Sequence, residues 1–305
     1  MLKKPKFYDL FCGIGGFRLG LERNGFKCIG SCEIDKYARE VYKKNFGEYP
    51  TERDVRQVDI RGLPDFDILT GGFPCQSFSV AGSGKGFGDT RGNLFFEILH
   101  IIREKRPQIV FLENVKGLLS NDSGRTFGRI LYEMDELGYD VEWQVINGRY
   151  FVPQKRERVF IIGHSREKPT KKIFPLGKEV TDNQTKDIIK EGQKHEIVNC
   201  ICHNYWKGVD NHGQRTVVAI PTKFLNRNQS VMESEIFPTL DTLEGHGIFD
   251  GHDYRMLTPL ECERLMGFPD NWTEGQNDTE RYKMLGNAVI PQIIETISKD
   301  LMYFL

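Results

Sequence analysis

From residue 7 to about 163, short apolar runs alternate with segments whose apolar residues recur every three or four positions. That alternation predicts a parallel sheet with crossover helices. Phe7 to Phe11 reads as a first strand, followed by the turn CGIGG (12 to 16) and a helix with Phe17 and Leu21 on one face, ended by Gly25. Phe26 to Cys32 reads as a second strand closing on Glu33, after which Asp35 can cap a helix carrying Tyr37, Ala38, Val41 and Tyr42. A later strand, Phe66 to Thr70, runs into GGFPCQSFS. Asn93 is the expected cap of a helix with Leu94, Phe95, Ile98, Ile101 and Ile102, which Pro107 forbids from continuing. Ile109 to Leu112 then forms a strand with Glu113 at its carboxyl end. A helix with Phe127, Ile130, Leu131, Met134 and Leu137 stops at Gly138, and strands follow at roughly 141 to 146 and 158 to 162.

The texture changes near Lys168. Residues 168 to about 253 show few periodicities and many Asn, Gly, His and Lys, as in a loop-rich irregular region. Order returns at Thr258-Pro-Leu-Glu261, which supplies a cap, a proline at the first helical position and a capping box, for a helix ending at Gly267. A last apolar helix from Pro291 to Phe304 is expected to pack back on the first part of the chain.

Composition narrows the class. The 305 residues suggest about two domains, and 39% hydrophobic with 28% charged residues is ordinary for a soluble globular protein. Lys plus Arg number 42 against 43 Asp plus Glu, a net charge of -1, so binding to a polyanion requires a local basic surface. Seven scattered cysteines, an odd number, fit reduced thiols and a cytoplasmic location. The basic start MLKKPKFYDLF has its apolar run broken at Asp9 and is not expected to be a signal peptide, and no membrane-spanning run is found.

Ligands of an open parallel sheet bind beyond the carboxyl ends of its strands. Four suggestive segments fall at such ends: CGIGG, Glu33, GGFPCQS and ENV (113 to 115). A glycine turn with a later acid suits a nucleotide. The third glycine of G-x-G-x-x-G, counted from Gly13, is replaced by Arg18, which disfavours a dinucleotide but leaves an adenosine without phosphates open. Cys75, between Pro74 and Gln76, stands in a turn that can hold a thiol towards a cleft. None of the seven histidines falls in these segments. A cysteine nucleophile without an imidazole base suits a substrate that becomes electrophilic when protonated or polarised, with Glu113 as proton source and QKRER (154 to 158) as oxygen or phosphate binder. Read singly, each piece has a structural alternative: packing glycines, a buried thiol, a capping carboxylate, a solvated charged edge. Cys28 and Cys32 read as structural thiols. Cys200, Cys202 and His203 lack the matching partners of a zinc site, so no metal is expected.

Together, DLFCGIGG, Glu33, VDI (58 to 60), GGFPCQSFSVAG (71 to 82), DTRGNLFFE (89 to 97), ENV, QKRER, RMLTPLECERLMGFP (255 to 269) and GNAVIPQ (286 to 292) resemble, in order, the blocks of the cytosine-5 DNA methyltransferases. The resemblance implies an α/β fold: a Rossmann-like S-adenosylmethionine-dependent domain with a mixed, mostly parallel sheet, plus a smaller irregular target-recognition domain. It divides the chain into a catalytic cofactor-binding domain (1–168), a target-recognition domain (169–254), a return segment (255–280) and a C-terminal segment (281–305). It implies Cys75 as nucleophile towards carbon 6 of cytosine, Glu113 on ring nitrogen 3, Arg158 on the exocyclic oxygen and Arg156 in support. For S-adenosylmethionine it implies Phe11 stacked on the adenine, Glu33 on the ribose and Asp59 with Ile60 at the adenine edge. Asn287 and Val289 would complete the pocket, lined also by Gly13, Gly15, Gly16, Ile34, Pro74 and Leu94. Duplex DNA would meet Gln76, Ser79, Arg91, Gln154, Lys155, Arg156, Thr239 and Leu240.

Attack on a stacked cytosine requires the base to leave the helix, hence a cleft between two domains. Residues 166 to 255 hold 13 basic and 13 acidic side chains, so phosphate binding is expected at the cleft, where Arg149, Lys155, Arg156 and Arg158 stand near Glu157 alone. Arg215, Asn226, Arg227 and Gln229 are candidates for base contacts. The expected partner is a specific short duplex, the expected setting a bacterial or phage-borne restriction pair whose endonuclease is linked through function, and the expected state a monomer. A tRNA-directed relative and a catalytically silent DNA-binding module are the alternatives.

Overall fold

A computed structural model of the chain describes residues 4–74, 94–168, 171–176, 257–303 and 305, with the backbone of the short segments Val198–Asn199, Phe224–Leu225, Val231–Met232, Ile248–Phe249 and Tyr254–Arg255. The first part of the chain runs β1 (Lys6–Leu10), α1 (Gly16–Arg23), β2 (Lys27–Cys32), α2 (Lys36–Phe46), β3 (Ile68–Gly72), α3 (Leu94–Lys105) and β4 (Ile109–Val115). It continues through α4 (Arg125–Glu136), β5 (Tyr139–Asn147), β6 (Gln154–Lys155) and β7 (Glu157–Ser165) to the late helices α5 (Pro259–Leu265), α6 (Asp278–Asn287) and α7 (Pro291–Leu301).

Six strands form one sheet in the order β2-β1-β3-β4-β7-β5. The pairs among β2, β1, β3 and β4 are parallel, and β7 runs antiparallel between β4 and β5. The expected mixed, mostly parallel α/β sheet is therefore present. Alternate strand residues feed two cores, because successive side chains of a strand point to opposite faces. Phe7, Ile68, Ile109, Phe111, Phe160 and Ile162 pack with residues of α1, α2, α5, α6 and α7. Tyr8, Leu10, Leu69, Val110, Leu112, Val159 and Ile161 pack with those of α3 and α4.

Local signals set several boundaries. Asp35 Oδ1 accepts from the Tyr37 and Ala38 amides and starts α2, and Thr258 with Glu261 forms a reciprocal capping box at α5. Other boundaries move. Phe11 leaves the first strand with φ 54°, so the chain turns one residue earlier than its apolar run suggests. The third strand begins at Ile68 and reaches Gly72, and β4 continues through Glu113 to Val115, so Glu113 lies inside the strand. Helix α7 ends at Leu301, and the expected Asn93 cap lies outside the described residues. Helix α6 was not foreseen, although Asn277, whose side chain accepts from the Glu280 amide, is its local start signal.

The C-terminal helices return to the first strand's turn. Trp272 Nε1 donates to Ile14 O at 2.9 Å. Gly16 opens α1 against residue 289: a Cβ there would lie 2.7 Å from Val289 Cγ1 and 2.8 Å from Val289 O. Gly16→Ala is thus expected to displace Val289 and lower stability by about 1–3 kcal/mol, measured by urea unfolding; an unchanged midpoint would mean that the loop yields without cost.

Candidate active site

Two neighbouring regions of the sheet's carboxyl edge hold the candidate groups. In the first, β1 ends in a turn with positive φ at Phe11, Gly13 and Gly15, and β2 is followed directly by Glu33. Gly13 N donates to Glu33 Oε2 and Asp35 N donates to Glu33 Oε1, both at 2.8 Å. Arg39 Nη1 donates to the Glu33 carbonyl at 3.1 Å, fixing the backbone beneath the carboxylate. Burial raises the Glu33 pKa, and the two amides oppose that rise.

These residues fit an adenosine-bearing cofactor. The Glu33 oxygens keep lone pairs beyond their amide bonds, so the carboxylate can also accept from a diol. Beside it Ile34 is 65% exposed, an apolar side chain available to an adenine face. Phe11, Ile60 and Leu94 pack against the same core, and Val289 closes on Gly16. Asp59, Pro74 and Asn287 are exposed at the surface.

Beneath this turn Asp9 is fully buried, a feature that the strand pattern did not signal. Its Oδ1 accepts from Thr70 Oγ1 at 2.7 Å, and its Oδ2 has no hydrogen-bond partner among the described residues. Burial pushes its pKa up to about 7, with the Thr70 hydroxyl and Arg18 opposing and Glu33 adding to the rise. Because the folded-state pKa lies above the ordinary carboxylate value, the contribution to stability is full at low pH and is lost as pH rises through about 7. Asp9→Asn is expected to flatten that decline and raise Tm at pH 8 relative to the parent chain, read by thermal denaturation at pH 5 and pH 8; equal pH dependence in both proteins would contradict it. Burial likewise raises the pKa of the thiols of Cys12, Cys28 (to about 11) and Cys32 (to about 12), which keeps them protonated, in keeping with structural roles.

The second region joins β3, β4 and β7. Gly72 pairs with Glu113, and Glu113 with Phe160, so Glu113 sits on a strand flanked by β3 and β7. A Cβ at Gly72 would approach Glu113 Oε2 to 3.2 Å, which explains a glycine here. Arg158 Nε lies 3.1 Å from Glu113 Oε1, and Arg158 Nη1 donates to Glu157 O at 2.8 Å. Burial raises the Glu113 pKa; the guanidinium groups of Arg158 and Arg156 counter it. A buried carboxyl with a raised pKa keeps its proton to higher pH than an exposed one, which suits proton donation. Asn114 is a positioning residue that sequence reasoning noted solely as part of ENV: its Nδ2 donates to Phe73 O at 2.8 Å, tying the end of β4 to the backbone two residues before Cys75.

The structure thus brings Glu113 and Arg158 into contact, and joins Gly13 to Glu33 and Gly16 to Val289. Two residues expected to meet DNA face inward instead. Gln154 is fully buried, its Nε2 donating to Leu265 O at 3.4 Å and to Met266 Sδ at 3.3 Å. Arg156 is 2% exposed, and its Nη2 donates to Gly286 O and Ala288 O. The physical reason is the return of α5 and α6 over β6, which covers both side chains and was not visible in the QKRER pattern. Lys155 is partly buried. Cys75, Gln76, Ser79, Arg91, Thr239 and Leu240 lie outside the described residues, as do Arg215, Asn226, Arg227, Gln229, Cys200, Cys202 and His203. Among the described residues no helix is long and apolar enough to cross a membrane.

Comparison with known proteins bears on the fold and the family. The solved structure of Schizosaccharomyces pombe Dnmt2 methyltransferase superposes with a TM-score of 0.68 at 17% identity, covering 98% of this chain and 99% of that one, and so shares the fold. A putative DNA modification methyltransferase encoded within an Escherichia coli prophage gives a TM-score of 0.62 at 21% identity, covering 99% of each chain. In sequence, the Type II methyltransferase M.HhaI of Haemophilus parahaemolyticus is 38% identical over 97% of this chain and 94% of its own length. Type II methyltransferase M.NgoBI of Neisseria gonorrhoeae is 39% identical over 96% of this chain and 92% of its own. The family model for C-5 cytosine-specific DNA methylases matches residues 5–302. On that match, and on these near full-length relatives, the chain belongs to the C-5 cytosine-specific DNA methylase family.

Proposed function

We propose that this chain transfers a methyl group from S-adenosylmethionine to carbon 5 of a cytosine turned out of a specific short DNA duplex, through a transient bond to Cys75. The observation that carries the proposal is the buried Glu113–Arg158 pair, set against Gly72 and three residues along the chain from Cys75. When bound, the cofactor supplies an electrophilic sulfonium methyl.

The chain's own groups would do the rest. Cys75 Sγ adds to carbon 6 while Glu113 gives a proton to ring nitrogen 3, so the ring's electron density is directed to carbon 5. Arg158, already aligned with Glu113, can reach the exocyclic oxygen of the same ring edge with its planar fork. After methyl transfer the carbon 5 proton passes to water and its bonding pair forms the C5–C6 double bond. The Sγ–C6 bond breaks with the thiolate taking the electron pair of that bond, and ring nitrogen 3 returns its proton to Glu113. Glu33 and Phe11 would hold the ribose and adenine, with Ile34 against the ring. Residues 169–254 would read base edges, the 1–168 domain with the 255–280 and 281–305 segments carrying the chemistry, and the chain would act as a monomeric modification enzyme beside a cytoplasmic endonuclease.

The test is to incubate the protein with S-adenosylmethionine and DNA of mixed sequence and to analyse nucleosides by mass spectrometry. 5-Methylcytosine confined to one sequence context is expected. Its absence from every context, or methylation of tRNA but not of duplex DNA, would overturn the proposal.

A further inference from the structure

We infer that Arg156 is a positioning residue that couples the cofactor-side loop at 286–289 to the Glu113–Arg158 pair, and that it makes no contact with DNA phosphate. The inference rests on the proposed function for what the two coupled sites bind, but its geometry is independent of that reading. A phosphate contact requires an exposed cation, and Arg156 is 2% exposed. Its Nη2 donates to Gly286 O at 2.9 Å and to Ala288 O at 2.8 Å. These carbonyls flank Asn287. Gly286 lies in the last turn of α6, where carbonyls have no partner within the helix and where a cation complements the helix dipole.

The other end of the same short segment meets the candidate acid. Gly148 N donates to Arg156 O at 2.8 Å, and two residues on, Arg158, the second residue of β7, pairs with Glu113. Beyond Asn287 the loop reaches Val289, which packs on Gly16 at the start of α1. A continuous path therefore runs from Glu113 through Arg158 and the 156–158 backbone to the Arg156 guanidinium. It passes on to the carbonyls around Asn287 and ends on the glycine turn. A ligand that orders residues 287–289 would set the Arg156 fork, and with it the rotamer of Arg158 against Glu113. Both bonds come from Nη2, and a lysine, whose stem ends one bond nearer the backbone, does not bring its ammonium to the same point between the two carbonyls.

The test uses Arg156→Lys in the full-length chain, with S-adenosylhomocysteine as the probe in calorimetry without DNA, and Arg156→Gln, which removes the charge, for duplex DNA binding at several salt concentrations. Expected are a fall of about tenfold in S-adenosylhomocysteine affinity, as for loss of one charge-assisted hydrogen bond, and an unchanged salt slope for DNA. Unchanged affinity for S-adenosylhomocysteine overturns the inference, and so does a salt slope reduced by about 0.9, the signature of a lost phosphate contact. Should the lysine variant not fold, hydrogen exchange on the wild type decides: S-adenosylhomocysteine is expected to slow exchange of amides at 156–160 as well as 286–290, and protection confined to 286–290 overturns the coupling. If the wild type binds no S-adenosylhomocysteine, the proposed function falls along with the inference; if it binds and the variant binds equally well, the role of Arg156 alone falls.

Discussion

Cys75→Ser is expected to reduce methyl transfer by at least about ten-thousandfold while leaving the chain folded. A thiol near its ordinary pKa supplies a few per cent of thiolate at pH 7 and is intrinsically nucleophilic, whereas a serine hydroxyl needs a base to attack at all. The described ends of the neighbouring strands offer no imidazole: Glu113, Asn114 and Arg158 are the side chains placed there. The cost of the change should lie in chemistry, not in folding, because the backbone ahead of Cys75 is held by β3–β4 pairing and by Asn114 on Phe73 O. Tritium transfer from labelled cofactor, read beside a thermal melt, makes the comparison. Retained turnover in a folded variant would take the nucleophile's role from Cys75.

The second large effect belongs to Glu113→Gln, expected to slow the chemical step by about a hundredfold to ten-thousandfold with DNA affinity nearly unchanged. An amide keeps the shape and can still donate a hydrogen bond to ring nitrogen 3, but it cannot transfer a proton. The direction of the pKa shift adds a pH signature. Burial raises the pKa of Glu113, with Arg158 and Arg156 opposing, so the proton-bearing form persists to higher pH than for an exposed glutamate. The wild-type rate should therefore fall on the alkaline side as that proton is lost, and the glutamine variant should lack this limb. Single-turnover rates across pH test it. A parallel profile in the two proteins would deny Glu113 its role as the acid.

Much of the fold and of the candidate site was legible because its signals are local or lie in contiguous motifs. Asp35 caps α2 and Thr258 caps α5 through hydrogen bonds within three residues, and short continuous apolar runs in β1, β3 and β4 mark strands buried on both faces. Glu33 could be picked out because a strand end followed by a helix cap limits where a carboxylate can point. Misplacements have equally physical causes. Apolar residues continue past the end of β1, so Phe11 looked like strand, yet its left-handed backbone is imposed by the turn that follows. Glu113 looked like a strand end because charged residues usually lie outside strands, yet the Arg158 pair allows it to stay inside β4. Gln154 and Arg156 looked like a polar edge because nothing within QKRER records the helices that later cover them.

By itself the sequence determined most of the order of strands and helices, the caps at Asp35 and Thr258 and the family motifs, since hydrogen-bonding reach and side-chain periodicity act over a few residues. Tertiary structure decided which charges are buried and what they serve. Asp9 has its pKa raised to about 7 by burial under the glycine turn, Arg156 grips carbonyls 130 and 132 positions away in the chain, and Trp272 donates to Ile14 O 258 positions away. Desolvation depends on everything packed around a group, including segments far along the chain, so the protonation and partners of these side chains are properties of the assembled fold.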